Sequence, residues 1–263
     1  MGENTRDGPM HDRALLLHGA KRNQVLSLEE VERYGRDSFG DPDYLALYGM
    51  RPQEWFGHGI RVLGRTAVEC TRDALADRIG RDLARAVDHL TPVDGVVAID
   101  PFAGSCNTLF WILRHVPNAE GLAFELDEQV FDVTRRNLAL LGAPLELLPG
   151  DYQSLLGQRD LPMGRALLFF IAPPWGTALD DQAGLDLRRT TPPVTEIIAG
   201  LTRRFPDHRM LFAVQVYEKV DPEALAEVRT LLDWTDLRVS GLNAPGRNHG
   251  ILIGTRSWSA PDP

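Results

Sequence analysis

The chain has 263 residues, 43% of them hydrophobic and 25% charged, which is typical of a water-soluble protein with one α/β domain and an addition. Its net charge of −9 disfavours a surface that grips a long phosphate backbone, although an acidic average can hide a basic cleft. Two distant cysteines exclude a disulfide framework or a cysteine metal site, and no apolar run is long enough to span a membrane.

The N-terminal part of the chain is predicted to be helical. Residues 1–12 are polar and lack a signal-peptide core, so we expect them to be disordered and the protein to be cytoplasmic. Helices are predicted over 13–20 and 27–39. Ser27 and Glu30 have the spacing of a capping box for the second of these helices.

An aromatic pair, Trp55 and Phe56, follows in a loop flanked by glycines. His58 beside it is the nearest side chain that titrates close to neutral pH, with a surface histidine as the alternative. Residues 65–90 then predict one long amphipathic helix. We interpret residues 1–90 as a helical cap on the domain that follows.

From residue 91 onward, apolar strands alternate with helices, which is the pattern of a doubly wound parallel sheet. The last two strands predict a hairpin closed by residues 243–248, which would make one edge of the sheet antiparallel. The predicted strands are 96–100, 121–125, 145–148, 166–172, 210–216, 235–242 and 250–255, and the helices are 108–115, 128–141, 193–204 and 222–232.

The first of these strands ends at Asp100 and continues through a loop of small residues, with a single glycine at Gly104, into a helix. At such a junction, backbone N–H groups and the positive end of a helix dipole are available to bind a ligand. The phosphate-binding pattern G-x-G-x-x-G is absent, and an acid at the strand end would repel a pyrophosphate. It suits a ligand with an ammonium group and hydroxyls, such as S-adenosylmethionine (SAM). The alternative is that this is an ordinary strand-to-helix turn, with small and polar residues and no ligand.

The next two strands also end near acids. Glu125, 25 positions after Asp100, could accept both hydroxyls of a ribose. Asp151 could accept an adenine amino group while Tyr152 packs on the ring, although an Asp in a Gly-Asp turn is an equal alternative. Acids at the ends of three consecutive strands are harder to explain by chance than a single one, so together they favour binding of SAM.

The fourth strand runs directly into Ala172-Pro173-Pro174-Trp175. Two prolines stiffen the backbone, so the carbonyl of Ala172 and the ring of Trp175 are predicted to point outward. A rigid indole can stack on a flat substrate ring while a carbonyl accepts an N–H from it. A loop that only plugs the strand end is the alternative.

Other reactive side chains carry weaker signals. We expect Cys106 to be a small packing residue, because methyl transfer from a sulfonium is a direct displacement that needs no thiol. The end of the fifth strand places Tyr217 and Glu218 near the cleft. His115 and His249 are interpreted as structural.

These motifs together resemble class I SAM-dependent methyltransferases, and among them the trimethylguanosine synthase family, which methylates the guanine N2 of RNA caps. The resemblance covers roughly residues 44–258. The family's motifs are matched by Asp100–Gly104, Asn107, Gly150-Asp151-Tyr152, Ala172–Gly176, Glu54-Trp55-Phe56 and Leu185-Asp186-Leu187-Arg188.

The chain departs from that family where the family's motif has a serine, which is Ala172 here, so no side chain at that position can orient an acceptor amine. The family's cap substrate is strongly anionic, whereas this chain is acidic and has only two lysines, Lys21 and Lys219. The resemblance therefore implies the cofactor and the stacking geometry more directly than the substrate.

We therefore expect an α/β, doubly wound, seven-stranded Rossmann-like methyltransferase domain over 91–263, with the helical cap of residues 1–90 contributing to the acceptor site. The expected function is SAM-dependent methylation of a small planar nitrogen heterocycle or aromatic amine in bacterial natural-product metabolism. Guanine-N2 methylation of capped RNA or a related nucleotide, and SAM binding without catalysis, are the alternatives.

The predicted site residues fall into three groups, and no metal is expected. The catalytic group is Ala172, Pro173, Pro174, Trp175 and His58; the cofactor group is Asp100, Phe102, Ala103, Gly104, Asn107, Glu125, Asp151 and Tyr152; the substrate group is Trp55, Phe56, Trp175, Asp186 and Tyr217.

Overall fold

Three strands of the main sheet are buried along their whole length, which is typical of inner strands covered by helices on both faces. They are neighbours at the centre of the sheet in the computed structural model, which describes residues 9–180, 182–242 and 248–259. The strands are β1 (Val96–Asp100), β2 (Ala119–Glu125), β3 (Leu145–Pro149), β4 (Ala166–Ile171), β5 (Leu179–Asp180), β6 (Gly184–Leu185), β7 (Met210–Tyr217), β8 (Trp234–Val239) and β9 (His249–Arg256).

The main sheet has seven strands in the order β3-β2-β1-β4-β7-β9-β8. Strands β1 to β4 and β7 are parallel, and β9 runs antiparallel to both of its neighbours. The prediction of a doubly wound, seven-stranded, Rossmann-like α/β fold with one antiparallel edge is confirmed. The short pair β5–β6 forms a separate ribbon that the sequence did not predict.

Helices cover both faces of this sheet. Apolar side chains of α5, α6 and α7 form one core with the sheet, and those of α8, α9 and α10 form the other. The helices are α1 (Pro9–Leu17), α2 (Leu28–Phe39), α3 (Pro52–Gly57), α4 (Gly64–Glu69), α5 (Asp73–Asp88), α6 (Asn107–His115), α7 (Glu128–Leu141), α8 (Tyr152–Leu156), α9 (Val194–Arg204) and α10 (Pro222–Thr230).

The predicted long helix over 65–90 is wrong, because the chain is extended between α4 and α5. There the carbonyl of Thr71 accepts a hydrogen bond from the Asn107 side chain at 2.8 Å, so this carbonyl is held by a tertiary contact rather than by the next helical turn. The sequence between the two helices contains no proline or glycine, so the periodic pattern could not reveal the break.

Three smaller predictions are also corrected. Helix α1 includes residues 9–12, which were expected to be disordered, and it ends at Leu17 rather than at residue 20. The loop around Trp55 is the short helix α3, which begins with a proline. Ser27 and Glu30 do form the predicted capping box. Expectations for residues 1–8 and 243–247 lie outside the described residues.

The residues before the sheet form a third apolar cluster, built mainly from the segment between Leu16 and Ala67. Helix α5 lies before residue 90 as well, but its apolar side packs into the core shared by the sheet and α6. A boundary between two domains at residue 90 stays a prediction.

Candidate functional site

The parallel strands β1, β2, β4 and β7 all end at the same edge of the sheet, which we call the C-terminal edge. Because β9 is antiparallel, it begins at this edge, and its first residue, His249, pairs with the last residue of β7, Tyr217. In open α/β sheets ligands bind outside this edge. The side chains found there define the candidate site.

Asp100 at the end of β1 is 2% exposed, and its Oδ1 accepts the backbone N–H of Phe102 at 3.0 Å. The pKa of Asp100 is raised to about 7, mainly by burial; the hydrogen bond from Phe102 opposes this shift and the nearby Glu125 carboxylate adds to it. Within the part of the chain that the structure describes, no cationic side chain forms a salt bridge with Asp100, so its buried negative charge is uncompensated there. A ligand with an ammonium group could supply a cation.

Glu125 at the end of β2 links that strand to the loop after β1. One carboxylate oxygen accepts the N–H of Gly104 and the other accepts the N–H of Asp127, each at 2.8 Å. Burial raises the pKa of Glu125 while these two amides lower it. Each oxygen retains a lone pair after these contacts, which is the capacity needed to accept two ribose hydroxyls.

The loop between Asp100 and α6 has a fixed backbone. Gly104 has a φ of +50°, a left-handed conformation that glycine adopts without strain, and its carbonyl accepts the Thr134 hydroxyl at 2.7 Å. Ala103 is buried, and its N–H donates to the carbonyl of Phe124 on β2. Both ends of Gly104 are therefore held in place before any ligand binds.

The end of β3 supplies Asp151 and Tyr152. Asp151 is exposed and caps α8, accepting the N–H of Gln153 at 3.2 Å. Tyr152 is buried and packs edge-on against Phe102, with ring centroids 5.4 Å apart. Tyr152 and Phe102 thus form an apolar wall between the ends of β1 and β3, and Asp151 lies beside it.

Asn107 holds the N-terminal segment to the loop after β1. It is 1% exposed, its Oδ1 accepts the N–H of Tyr48 at 2.8 Å, and its Nδ2 donates to Thr71. The hydroxyl of Tyr48 donates to the carbonyl of Ser105 at 2.6 Å. The Asn107 side chain therefore holds the loop to the N-terminal segment, and its contact with a cofactor stays a prediction.

The Pro-Pro-Trp segment follows β4 and brings an indole to the C-terminal edge. Pro173 is buried and Pro174 is exposed, while Ala172 and Trp175 are partly buried. Trp175 stacks on His249 with ring centroids 5.1 Å apart at 25°, and Tyr217 meets both rings edge-on. We call Trp175, Tyr217 and His249 the aromatic cluster.

His249 was interpreted as structural in the sequence, and the structure places it at the candidate site. Burial and the nearby guanidinium groups of Arg72 and Arg13 lower its pKa to about 4, with the Glu218 carboxylate opposing them. The imidazole is therefore neutral at pH 7. The predicted antiparallel final strand was the signal that could have located it, since such a strand starts where parallel strands end.

The aromatic pair of the N-terminal segment does not face the C-terminal edge. Trp55 is fully buried, and its indole N–H donates to the carbonyl of Leu45 at 3.0 Å, so it packs inside the protein, and its contact with substrate stays a prediction. Phe56 is partly buried beneath the guanidinium of Arg61, which lies 3.8 Å from the ring centroid. Both rings anchor the N-terminal cluster.

His58 also lies away from the edge. It is exposed, and the neighbouring Gly59 lies against Leu140 at the C-terminal end of α7. The N-terminal end of α7, at Asp127, is the end near Glu125, and the two ends are separated by about 20 Å of helix. His58 therefore lies near the opposite end of α7 from Glu125, and its part in catalysis stays a prediction.

Asp186 is engaged by an arginine. Its two carboxylate oxygens accept from Nε and Nη2 of Arg188 at 2.9 and 3.1 Å, and Arg188 also reaches Asp221 at 3.1 Å. The Arg188 hydrogen bonds lower the pKa of Asp186. This bridge ties the segment after Trp175 to the loop after β7, so Asp186 fixes the loop, and its contact with substrate stays a prediction.

Two features are absent from residues 9–180, 182–242 and 248–259. No group of three or more histidines, cysteines and acids there has the arrangement of a metal site. Within the same ranges, none of the helices has the length and apolar character required to cross a membrane.

The sequence matches no protein-family model and no curated protein. Similar solved structures include precorrin-6y C5,15-methyltransferase from Geobacter metallireducens GS-15 (TM-score 0.45, 15% identity, 72% of this chain and 91% of that one). An rRNA methylase from Streptococcus thermophilus (0.42, 18%, 67% and 94%) and human methyltransferase 10 domain containing protein (0.45, 12%, 70% and 84%) are others. These are general likenesses, and the assignment of the fold rests on the strand order.

Proposed function

We propose that this chain is a SAM-dependent methyltransferase that acts on a small planar nitrogen heterocycle or aromatic amine. One observation carries the proposal: the buried carboxylate of Asp100 and the partly buried carboxylate of Glu125 end adjacent strands, and the aromatic cluster lies at the same edge of the sheet. The carboxylates suit the ammonium and ribose of SAM, and the cluster suits a flat acceptor. A role in natural-product metabolism and a cytoplasmic location stay predictions from the sequence.

In this proposal the cofactor-binding residues contact three parts of the ligand: the ammonium group, the ribose and the adenine. Asp100 pairs with the ammonium group, Glu125 accepts the ribose hydroxyls and Asp151 accepts the adenine amino group. Phe102 and Tyr152 pack against the adenine ring. When bound, SAM would supply a methyl group on a positively charged sulfur: a nucleophile bonds to this methyl carbon while the carbon–sulfur bond breaks, and the sulfur leaves as a neutral thioether.

The acceptor ring stacks on Trp175, and the carbonyl of Ala172 accepts an N–H from it. Pro173 and Pro174 hold both groups in place before the substrate arrives. The rate enhancement then comes mainly from holding the nucleophile in line with the methyl group, as effective concentration rather than acid–base chemistry. An acceptor atom that is already nucleophilic needs no strong base, which agrees with the alanine at position 172.

A nucleotide acceptor is the second candidate, and one observation favours it. The guanidinium groups of Arg13 and Arg72 lie close enough to His249 to lower its pKa, so the aromatic cluster has positive charge nearby. A guanine nucleotide would place its ring on Trp175 and its phosphates toward these arginines.

Methyl transfer from tritium-labelled SAM tests the proposal and ranks the two candidates. The acceptors are a panel of aromatic amines and nitrogen heterocycles, together with guanosine nucleotides and a cap analogue. We expect turnover on at least one of the aromatic amines or nitrogen heterocycles. Turnover confined to nucleotides would support the second candidate, and tight SAM binding without transfer to any acceptor would favour a non-catalytic SAM-binding protein.

A further inference from the structure

A chain of hydrogen bonds leads from the N-terminal segment to the imidazole of the aromatic cluster. The Thr71 hydroxyl lies 3.1 Å from Oε1 of Gln215, a residue of β7 that is 9% exposed. Nε2 of Gln215 lies 3.4 Å from Nδ1 of His249. These side chains come from the segment between α4 and α5, from β7 and from β9, so the fold itself brings them together.

The chemistry of these groups fixes the direction of each hydrogen bond. A carbonyl oxygen only accepts, so the Thr71 hydroxyl donates to Gln215. An amide nitrogen only donates, so Gln215 donates to Nδ1 of His249, and Nδ1 carries no proton. In a neutral imidazole the proton is then on Nε2, and this ring is neutral at pH 7 because burial and Arg72 lower its pKa to about 4.

The position of the ring determines where that N–H can be used. A centroid distance of 5.1 Å with nearly parallel planes is an offset stack, so the imidazole covers only part of the indole of Trp175. A substrate ring could stack on the same face of the Trp175 indole, beside the imidazole, and the two rings would then be nearly coplanar. The imidazole N–H would lie in this common plane, where it can donate only to lone pairs that lie in the plane of the substrate ring.

We infer that His249 is a specificity-determining residue of the acceptor site, and that its Nε2–H donates to an in-plane lone pair of the substrate, either a carbonyl oxygen or a ring nitrogen. The inference rests on the proposed function and narrows it from planar rings in general to rings with such an acceptor atom. Thr71 and Gln215 are positioning residues that select the tautomer.

The tautomer can be measured without any ligand. Nitrogen-15 NMR of the histidine-labelled protein should show Nδ1 unprotonated and Nε2 protonated between pH 6 and 8. Gln215→Glu replaces the donor with an acceptor and should move the proton to Nδ1. A wild-type protein with Nδ1 protonated would overturn the inference, whether or not the protein binds SAM.

Three bicyclic probes of nearly the same shape test the contact itself: indole has no in-plane lone pair, 7-azaindole has a ring nitrogen and oxindole has a carbonyl. In the presence of demethylated cofactor, we expect the latter two to bind at least about tenfold more tightly than indole. His249→Phe should abolish the difference, and His249→Gln, which retains an N–H donor, should preserve part of it.

Equal affinity of the wild-type protein for all three probes would overturn the inference, as would a preference that survives His249→Phe. If His249→Phe does not fold, the Gln215→Glu variant serves instead, and loss of the preference there is the expected result. Absence of SAM binding would contradict the proposed function instead. Neither the tautomer measurement nor the probe comparison measures SAM binding, so the two failures are distinguishable.

Discussion

At the scale of single residues, Asp100 connects stability with cofactor binding. A carboxyl group buried without a cation favours its protonated form, as the pKa of about 7 indicates. Between the unfolded value near 3.8 and this folded value, the native protein binds more protons than the unfolded chain, so the Asp100 contribution to stability falls as the pH rises.

Asp100→Asn removes the free-energy cost of burying a carboxylate, so it should stabilise the protein. The same substitution should weaken SAM binding. A pKa difference of about three units corresponds to as much as about 4 kcal/mol at pH 8, and the gain should shrink toward pH 5. Urea unfolding at both pH values measures it, with Asp132→Asn, a partly exposed acid of α7, as the control. A variant less stable than the wild type at pH 8 would contradict this account of Asp100.

Trp175 should matter for the acceptor and not for the cofactor. Stacking of one ring is worth roughly 1–3 kcal/mol, so Trp175→Ala should lower kcat/KM by about 10- to 100-fold or more, since alignment is lost with affinity. Trp175→Phe should retain part of the activity. Calorimetry should show nearly unchanged SAM affinity for both variants.

An active Trp175→Ala protein, or one that loses stability and SAM binding instead, would make Trp175 a packing residue. Phe39 provides a comparison, because it is an exposed aromatic side chain on α2, and Phe39→Ala should leave turnover unchanged.

At the scale of elements, the contact between the N-terminal segment and α6 depends on Asn107. Removing its side chain leaves the N–H of Tyr48 and the carbonyl of Thr71 without these partners in a buried region. We expect Asn107→Ala to lower the free energy of unfolding by about 2–4 kcal/mol, measured in urea. Gln129→Ala on the exposed side of α7 should change it by less than about 0.5 kcal/mol. An equally small effect of Asn107→Ala would contradict the claim that Asn107 holds the N-terminal segment to α6.

Element order, the parallel sheet and the acids at the strand ends could be predicted, because a buried strand, its turn and the next helix are encoded locally. The break between α4 and α5, the burial of Trp55 and the role of Asn107 depend on contacts between segments far apart in the chain. His249 lies between these cases, since its place followed from the direction of β9, but its stacking on Trp175 did not.

At the scale of the whole molecule, many positive charges are already paired. Arg188 contacts Asp186 and Asp221, Arg238 contacts Asp82, and the formal net charge is −9. A surface of this kind releases few counterions from a nucleic acid, so methyl transfer should depend only weakly on added salt. A steep loss of activity on an RNA substrate between 50 and about 200 mM salt would favour the cap-type reaction instead.

The central claim is that the ends of β1 and β2 bind SAM, and calorimetric titration tests it most directly. The wild-type protein should bind one SAM per chain. Glu125→Ala should weaken binding by about 10- to 100-fold through the lost ribose hydrogen bonds, while Glu128→Ala, an exposed acid in the first turn of α7, should bind as the wild type does. Failure of the wild-type protein to bind SAM, or undiminished affinity in a folded Glu125→Ala variant, would contradict the account.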